Sequence, residues 1–327
     1  MEWTVAIGID THRDVHVAVA LDRLGQFRGS LELAVEERGF AQLVRFARSF
    51  GEPAFAIEGT GSYGASLARA LLAEGFLVYE CERPERRSRQ DKNDLIDAEA
   101  AARRLLSGQR LALPRSGAGR EQLRLLLAER RSAQQARLQA LNQLKAAIIS
   151  LDPPLRARLS RLQPASLARA PFLRRKPLLT PLRRLARRIG QLQAELVEID
   201  AELAELTRAL CPQLLAEAGV GPVCSAQVLV SVADPARLRS EASFAALAGV
   251  RPIEASSGQV KRHRLNRGGD RQLNWALHMS ALNRIRHHSE TQAYYERLLR
   301  DGKSKKEAIR IVKRVLARRL YRTLVAA

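Results

Sequence analysis

Four carboxylates stand where the chain could gather them for chemistry. Asp10 closes the first strand-like run, Glu58 closes the first run after an apparent three-strand meander, and Asp94 and Asp97 lie three residues apart on a helical stretch. An i, i+3 pair projects from one face of a helix. Acidic groups brought this close repel one another unless a cation neutralises them, and Mg²⁺, bound by carboxylates, waters and substrate phosphates, is the natural occupant. Two such ions activate an attacking oxygen and stabilise a leaving one. Read singly, each carboxylate is a solvated charge, and Asp94 serves equally well as a helix cap. Read together, they describe a metal centre built on Asp10, Glu58, Asp94 and Asp97.

Other candidates carry less. Residues 59–66 (GTGSYGAS) come close to a phosphate-binding loop, but Ala65 occupies the place of the required lysine, so the segment reads as a strand-to-helix turn. The histidines His12, His16, His263, His278, His287 and His288 show no HExxH spacing, which assigns them surface or packing roles. Residues 219–221 (GVG) sit between two helical stretches, as in a helix-hairpin-helix whose backbone amides hold a phosphate, or in a plain helical turn. Ser256 and Ser257 precede Gly258 and the basic run KRHRLNRGGDR, where a hydroxyl could meet a phosphodiester; spacing by itself does not make either a nucleophile.

The elements that must position these groups follow from periodicity. Residues 4–9, 15–21 and 26–35 alternate or run in β-formers with short connections, which predicts an antiparallel meander. A helix over 37–49, a strand over 54–58, a helix over 62–74, a strand over 76–80 and a helix over 94–106 come next. That order is the order of the ribonuclease-H-like (RuvC-like) α/β fold, a mixed sheet with helices on both faces. Residues 120–150 lack Pro and Gly and predict one long helix, and prolines at 153, 154, 164, 171, 177 and 181 predict an irregular basic connection. From Leu182 to Leu210 apolar residues step alternately by three and four, a coiled-coil seam. It closes either on the 120–150 helix of the same chain or on another molecule. A short helix, a polar loop, another helix and a basic amphipathic helix over 303–325 complete a mainly α end.

Charge is segregated along the 327 residues: −5 over 1–100, +18 over 101–190, −4 over 191–210, −1 over 211–250 and +13 over 251–327, for a net +21. A polyanionic partner explains this division, because each neutralised phosphate releases counterions. Arginine enrichment from a GC-rich genome would not spare the first hundred residues. With 46% apolar residues the chain buries sizeable cores and general disorder is excluded. No apolar run reaches the roughly 18 residues of a membrane span, and the N-terminus enters an alternating segment without a signal-peptide pattern, so a cytoplasmic setting is expected. Three scattered cysteines, Cys81, Cys211 and Cys224, make neither a disulfide framework nor a zinc site.

The motifs GID (8–10), IEGTGSYG (57–64) and DLIDAEAAARRL (94–105) resemble the N-terminal domain of the insertion-sequence-110 family of DEDD transposases. FAALAGVRPIEASSG (244–258) and RLNRGGDRQLNWAL (264–277) resemble that family's C-terminal transposase domain. The resemblance implies a site-specific DNA recombinase in which Asp10, Glu58, Asp94 and Asp97 bind Mg²⁺ and a serine directly before a glycine, here Ser257, forms a phosphoserine link to DNA; Ser256 is the substitute. It also implies a structured guide (bridge) RNA that pairs with donor and target DNA, and homo-oligomers, dimers that assemble into tetramers, in which one chain's carboxylates meet another's serine. The expected division is residues 1–110 for the metal-binding domain, 111–211 for the basic helical and coiled-coil part and 212–327 for the serine-bearing domain. Residues 90–93 (QDKN) depart from the family's small, Gly-containing stretch and add charge beside the metal site. The alternative on the same carboxylates is a Mg²⁺-dependent, junction-resolving endonuclease with no covalent intermediate. A non-catalytic nucleic-acid scaffold is a third reading. A sugar-kinase or actin-like ATPase is disfavoured by the basic middle and the missing second phosphate loop.

Overall fold

A computed structural model describes residues 3–81, 93–108, 111–115, 119–170, 173, 179–254, 263–266 and 268–326. The chain forms two compact units, Met1–Ala118 with Val232–Leu238, and Gly119–Ser231 with Arg239–Ala327.

The first unit is a five-stranded mixed sheet. Strands β1 (Val5–Thr11), β2 (Val15–Asp22) and β3 (Phe27–Ala34) form the expected meander, and helix α1 (Glu37–Arg48) leads to β4 (Pro53–Glu58). Helix α2 (Ala65–Ala73), β5 (Leu77–Cys81) and helix α3 (Asp94–Leu106) follow. The strand order is β3-β2-β1-β4-β5, with β1 antiparallel to β2 and parallel to β4, an arrangement that fits a ribonuclease-H-like beginning. The period of two sorts the side chains between the faces. Val5, Ile7, Ile9, Phe55 and Ile57 pack with Leu43 of α1 and Leu67 and Leu71 of α2. On the other face Ala6, Ala54 and Ala56 pack with Ala98, Ala101, Ala102 and Leu105 of α3. By the same alternation Asp10 and Glu58 lie on the face that carries α3. The small residues of α3 let it come close: a Cβ on Gly8 would overlap the Ala98 carbonyl and the Ala102 amide. The late segment Val232–Leu238 joins this unit, where Arg237 donates to Glu80 on β5 at 2.8 Å.

Among its described residues the second unit is helical apart from one hairpin. Helix α4 (Arg120–Ile149) spans the Pro- and Gly-free stretch. The proline-rich connection is more regular than expected: α5 (Pro153–Leu159) and α6 (Pro164–Arg169) each begin on a proline, which at a first helical turn loses no hydrogen bond. Helix α7 (Thr180–Leu210) carries the three-and-four seam. Its residues Leu182, Ala186 and Ile189 pack with Ala140, Leu144 and Ile148 of α4, and Ile199 and Leu203 with Leu123 and Leu127, so the seam is buried by a helical hairpin within one chain. Arg130 and Asp200 clasp the hairpin at 2.5 and 3.2 Å. Next come α8 (Pro212–Ala216), α9 (Pro222–Val232), α10 (Glu241–Leu247), a hairpin of β6 (Pro252–Glu254) and β7 (His263–Leu265), and helices α11 (Arg271–His287), α12 (Ser289–Arg300) and α13 (Lys305–Ala326). Neither the β6–β7 pairing nor α12 is anticipated by the sequence pattern, three-residue strands being too short to show alternation. Among the described residues no helix is long and apolar enough to cross a membrane, and all three cysteines are free thiols.

Candidate metal centre

The site grows from the end of β1. Parallel pairing of β1 with β4 sets Ile9 opposite Ile57, so Asp10 and Glu58 follow at adjacent strand ends, and the Thr11 hydroxyl donates to the Glu58 carbonyl at 2.9 Å. Helix α3 starts over the same edge. Its cap is Asn93, whose side chain accepts from the Leu95 amide at 3.0 Å, so Asp94 is not the capping residue.

Asp10 is 5% exposed, and the imidazole of His12 lies between it and Asp94: Nε2 is 3.1 Å from Asp10 Oδ2 and 3.3 Å from Asp94 Oδ1. One ligand atom from each of Asp10, His12 and Asp94 falls within 4.8 Å of the others. Burial pushes the Asp10 carboxyl above its ordinary value; His12 draws it down, and the charges of Asp97 and Asp94 push it up. Asp97, one turn along α3, is thus close enough to repel Asp10. Glu58 lies outside the three-group cluster, but its charge, after the larger effects of burial and Arg104, acts on Cys81 on the α3 side of the sheet.

Two carboxylates and an imidazole at this spacing, with further acidic groups beside them, fit a divalent cation: the donors are hard or intermediate, and a cation would relieve the cost of a buried carboxylate among like charges. His12, to which the sequence assigns a surface or packing role, is the residue that sequence reasoning left out of the acidic cluster. It is half-exposed but aimed at the acidic cluster. The signal that could have found it is alternation, because residues i and i+2 at a strand end share a face.

The remaining candidates are placed as follows. Residues 59–64 form the strand-to-helix turn into α2, with Ser62 Oγ donating to the Gly59 carbonyl. In the 219–221 turn the Val220 amide donates to the Glu217 carbonyl, so that amide is not offered outward to a phosphate. His16 is fully buried, its ring stacked on Phe40, and His288 caps α12 by accepting from the Thr291 amide. Ser256, Ser257 and residues 90–92 lie outside the described residues.

What holds the β6–β7 hairpin is well defined. Asn266, just after β7, donates to the Ala246 carbonyl, and Asn274 donates to that of Ala248 at 2.7 Å. Lys313, 7% exposed, donates to Asn274 Oδ1 at 2.7 Å. Asp270 caps α11 through Oδ1 and accepts from Ser231 Oγ through Oδ2. Gly269 packs against Gly249, where a Cβ on Gly269 would overlap the Gly249 amide nitrogen and Cα. The motif RLNRGGDRQLNWAL is therefore a clamp between α10 and α11.

Two family profiles match this chain. A DEDD transposase profile of the IS110 group, described as "Transposase", covers residues 7–153, and the profile "Transposase IS116/IS110/IS902 family" covers residues 211–296. The chain belongs to the IS110 family of transposases. It is similar to the "Insertion element IS110 uncharacterized 43.6 kDa protein" of Streptomyces coelicolor, 32% identical over 114 residues, 34% of this chain and 28% of that protein. It is also similar to the "Insertion element IS900 uncharacterized 42 kDa protein" of Mycobacterium paratuberculosis, 30% identical over 134 residues, 40% of this chain and 34% of that protein. The matches thus span about a third of the length of these curated relatives.

Proposed function

We propose that this chain is a site-specific DNA recombinase that moves its own insertion element, directed by a structured guide RNA. The observation that carries the reading is the buried Asp10 carboxylate meeting Asp94 through His12 at the end of the central strand β1, in a chain of net charge +21. Asp10, Glu58, Asp94 and Asp97 hold Mg²⁺, with His12 as a further ligand. When bound, the ions supply positive charge to the scissile phosphate and to the attacking and leaving oxygens.

The chain's own groups do the rest. Ser257 Oγ attacks phosphorus, a P–Oγ bond forms, one P–O bond of the strand breaks, and the departing strand's oxygen takes the serine proton. The hydroxyl of the exchanged strand then displaces Ser257, which recovers its proton. Phosphodiester bonds are conserved and no external reductant or oxidant is needed. The clamp formed by Asn266, Asp270, Asn274 and Lys313 steadies the segment that follows β7, and Ser257 falls in the sequence between β6 and β7. The basic residues of 101–190 grip phosphates of donor DNA, target DNA and guide RNA, while base pairing with the RNA, not these side chains, selects the sequence. Dimers pair into a tetramer in which one chain's carboxylates work with a partner chain's serine, at the nucleoid in the bacterial cytoplasm.

His12 also favours a second reading. An imidazole held by carboxylates can take a proton from water, which would make the enzyme a structure-specific endonuclease without a covalent intermediate. Incubation with the element's ends, its associated RNA and Mg²⁺ separates the two. The recombinase forms a covalent protein–DNA species that Ser257→Ala abolishes and Ser256→Ala retains. Undiminished cleavage by Ser257→Ala establishes hydrolysis instead.

A further inference from the structure

Helix α11 buries Leu273, Ala276 and Leu277 and turns Trp275 outward, where it remains 45% exposed. A lone exposed aliphatic residue needs no explanation, but an exposed Trp at the rim of a groove, near Leu138 at 53% exposure, offers a flat aromatic face for contact. The groove runs between α4, α9 and α11 with a volume of about 350 Å³, and Arg130, Arg131, Gln134, Gln135 and Gln272 stand around Trp275. No carboxylate is among the described residues that line it. Arg130 is held by Asp200 and shapes the wall; Arg131 is exposed and brings positive charge.

We infer that Trp275 is a stacking platform for an unpaired nucleobase of single-stranded nucleic acid. An indole face accepts any base, glutamine amides both donate to and accept from base edges, and guanidinium groups meet the sugar-phosphate backbone. The space suits a base or two and is too small for a folded partner. α4 belongs to the segment of charge +18, which draws a polyanion to this wall. The inference rests on the reading of the chain as an enzyme of nucleic acids and adds a place where a strand is held away from its complement.

The chain has two tryptophans, and Trp3 is 6% exposed, so a change in intrinsic fluorescence on adding a strand reports Trp275. The test uses the full chain with oligothymidylate, oligouridylate and an abasic strand of equal phosphate number. The base-bearing strands should quench the emission and bind about tenfold more tightly than the abasic one, as loss of one stacked base implies. Trp275→Ala should bind all three alike, while Trp275→Phe should keep most of the preference. Tighter binding of oligouridylate marks RNA as the occupant, and of oligothymidylate, single-stranded DNA. Equal affinity of the parent for intact and abasic strands overturns the subsite and leaves phosphate binding standing. Failure to bind any strand overturns the subsite and the nucleic-acid reading together. Burial of Trp275 by self-association, seen as a concentration-dependent mass without nucleic acid, also overturns it.

Discussion

Nε2 of His12 lies 3.1 Å from Oδ2 of Asp10, two residues earlier and on the same side of the chain. The imidazole bridges onward to Asp94 and so ties the end of β1 to the first turn of α3. An imidazole in a carboxylate set widens the choice of cation, since it suits Mn²⁺ and its neighbours better than Mg²⁺.

Metal binding should be visible in thermal melts. Mg²⁺ or Mn²⁺ at a hundred times its Kd should stabilise the parent by about 2.7 kcal/mol. Asp10→Asn should abolish that gain while leaving the metal-free protein no less stable, because it removes a buried charge among like charges. His12→Ala should weaken Mn²⁺ more than Mg²⁺. An unchanged metal response in Asp10→Asn would show that the cations bind elsewhere.

The approach of α3 to the sheet depends on Gly8. Gly8→Ala should push α3 off β1, since the new methyl meets backbone rather than a yielding side chain, at a cost of about 3 kcal/mol. The metal response should fall with it because Asp94 and Asp97 ride on α3. Full stability with full metal binding in this variant would mean that the helix sits farther out.

Asn93 anchors the start of the same helix. Asn93→Ala should cost about 1 kcal/mol in chemical denaturation and lower metal affinity by fraying the turn that holds Asp94. Asn93→Asp, which preserves the cap, should restore the stability.

Burial brings Lys313 down from 10.5 to about 8, with Arg310 adding to the effect. A lysine whose folded value lies below its unfolded value binds fewer protons when folded, so stability rises with pH between about 8 and 10.5 and carries the full penalty of the buried charge below that window. The ceiling on the penalty is about 3 kcal/mol. Urea titrations at pH 7.5 and pH 10 should show this rise in the parent and lose it in Lys313→Met. A parent whose stability is flat across the interval would refute the shift.

Much of the first unit is legible in the residues alone. Alternation in 5–11 and 53–58 assigns Asp10 and Glu58 to one face, and an i, i+3 pair at Asp94 and Asp97 needs only helical geometry. The pattern is less informative where packing outweighs it. The prolines that suggest an irregular connection instead start α5 and α6, because a proline is harmless at a first turn. The strands β6 and β7, three residues each, are too short for alternation to reveal them.

The local code thus settled the order of the elements, the facing of the carboxylates and the basic character of the middle, since these follow from short-range periodicity and formal charge. Proximity between distant segments was decided only in three dimensions. His12 became part of the acidic cluster because β1 delivers it beneath α3. The leucine seam of α7 found its partner in α4 because two long helices in one chain bury their stripes at a higher effective concentration than two chains can. Trp275 was left facing outward because its neighbours on α11 had already filled the core.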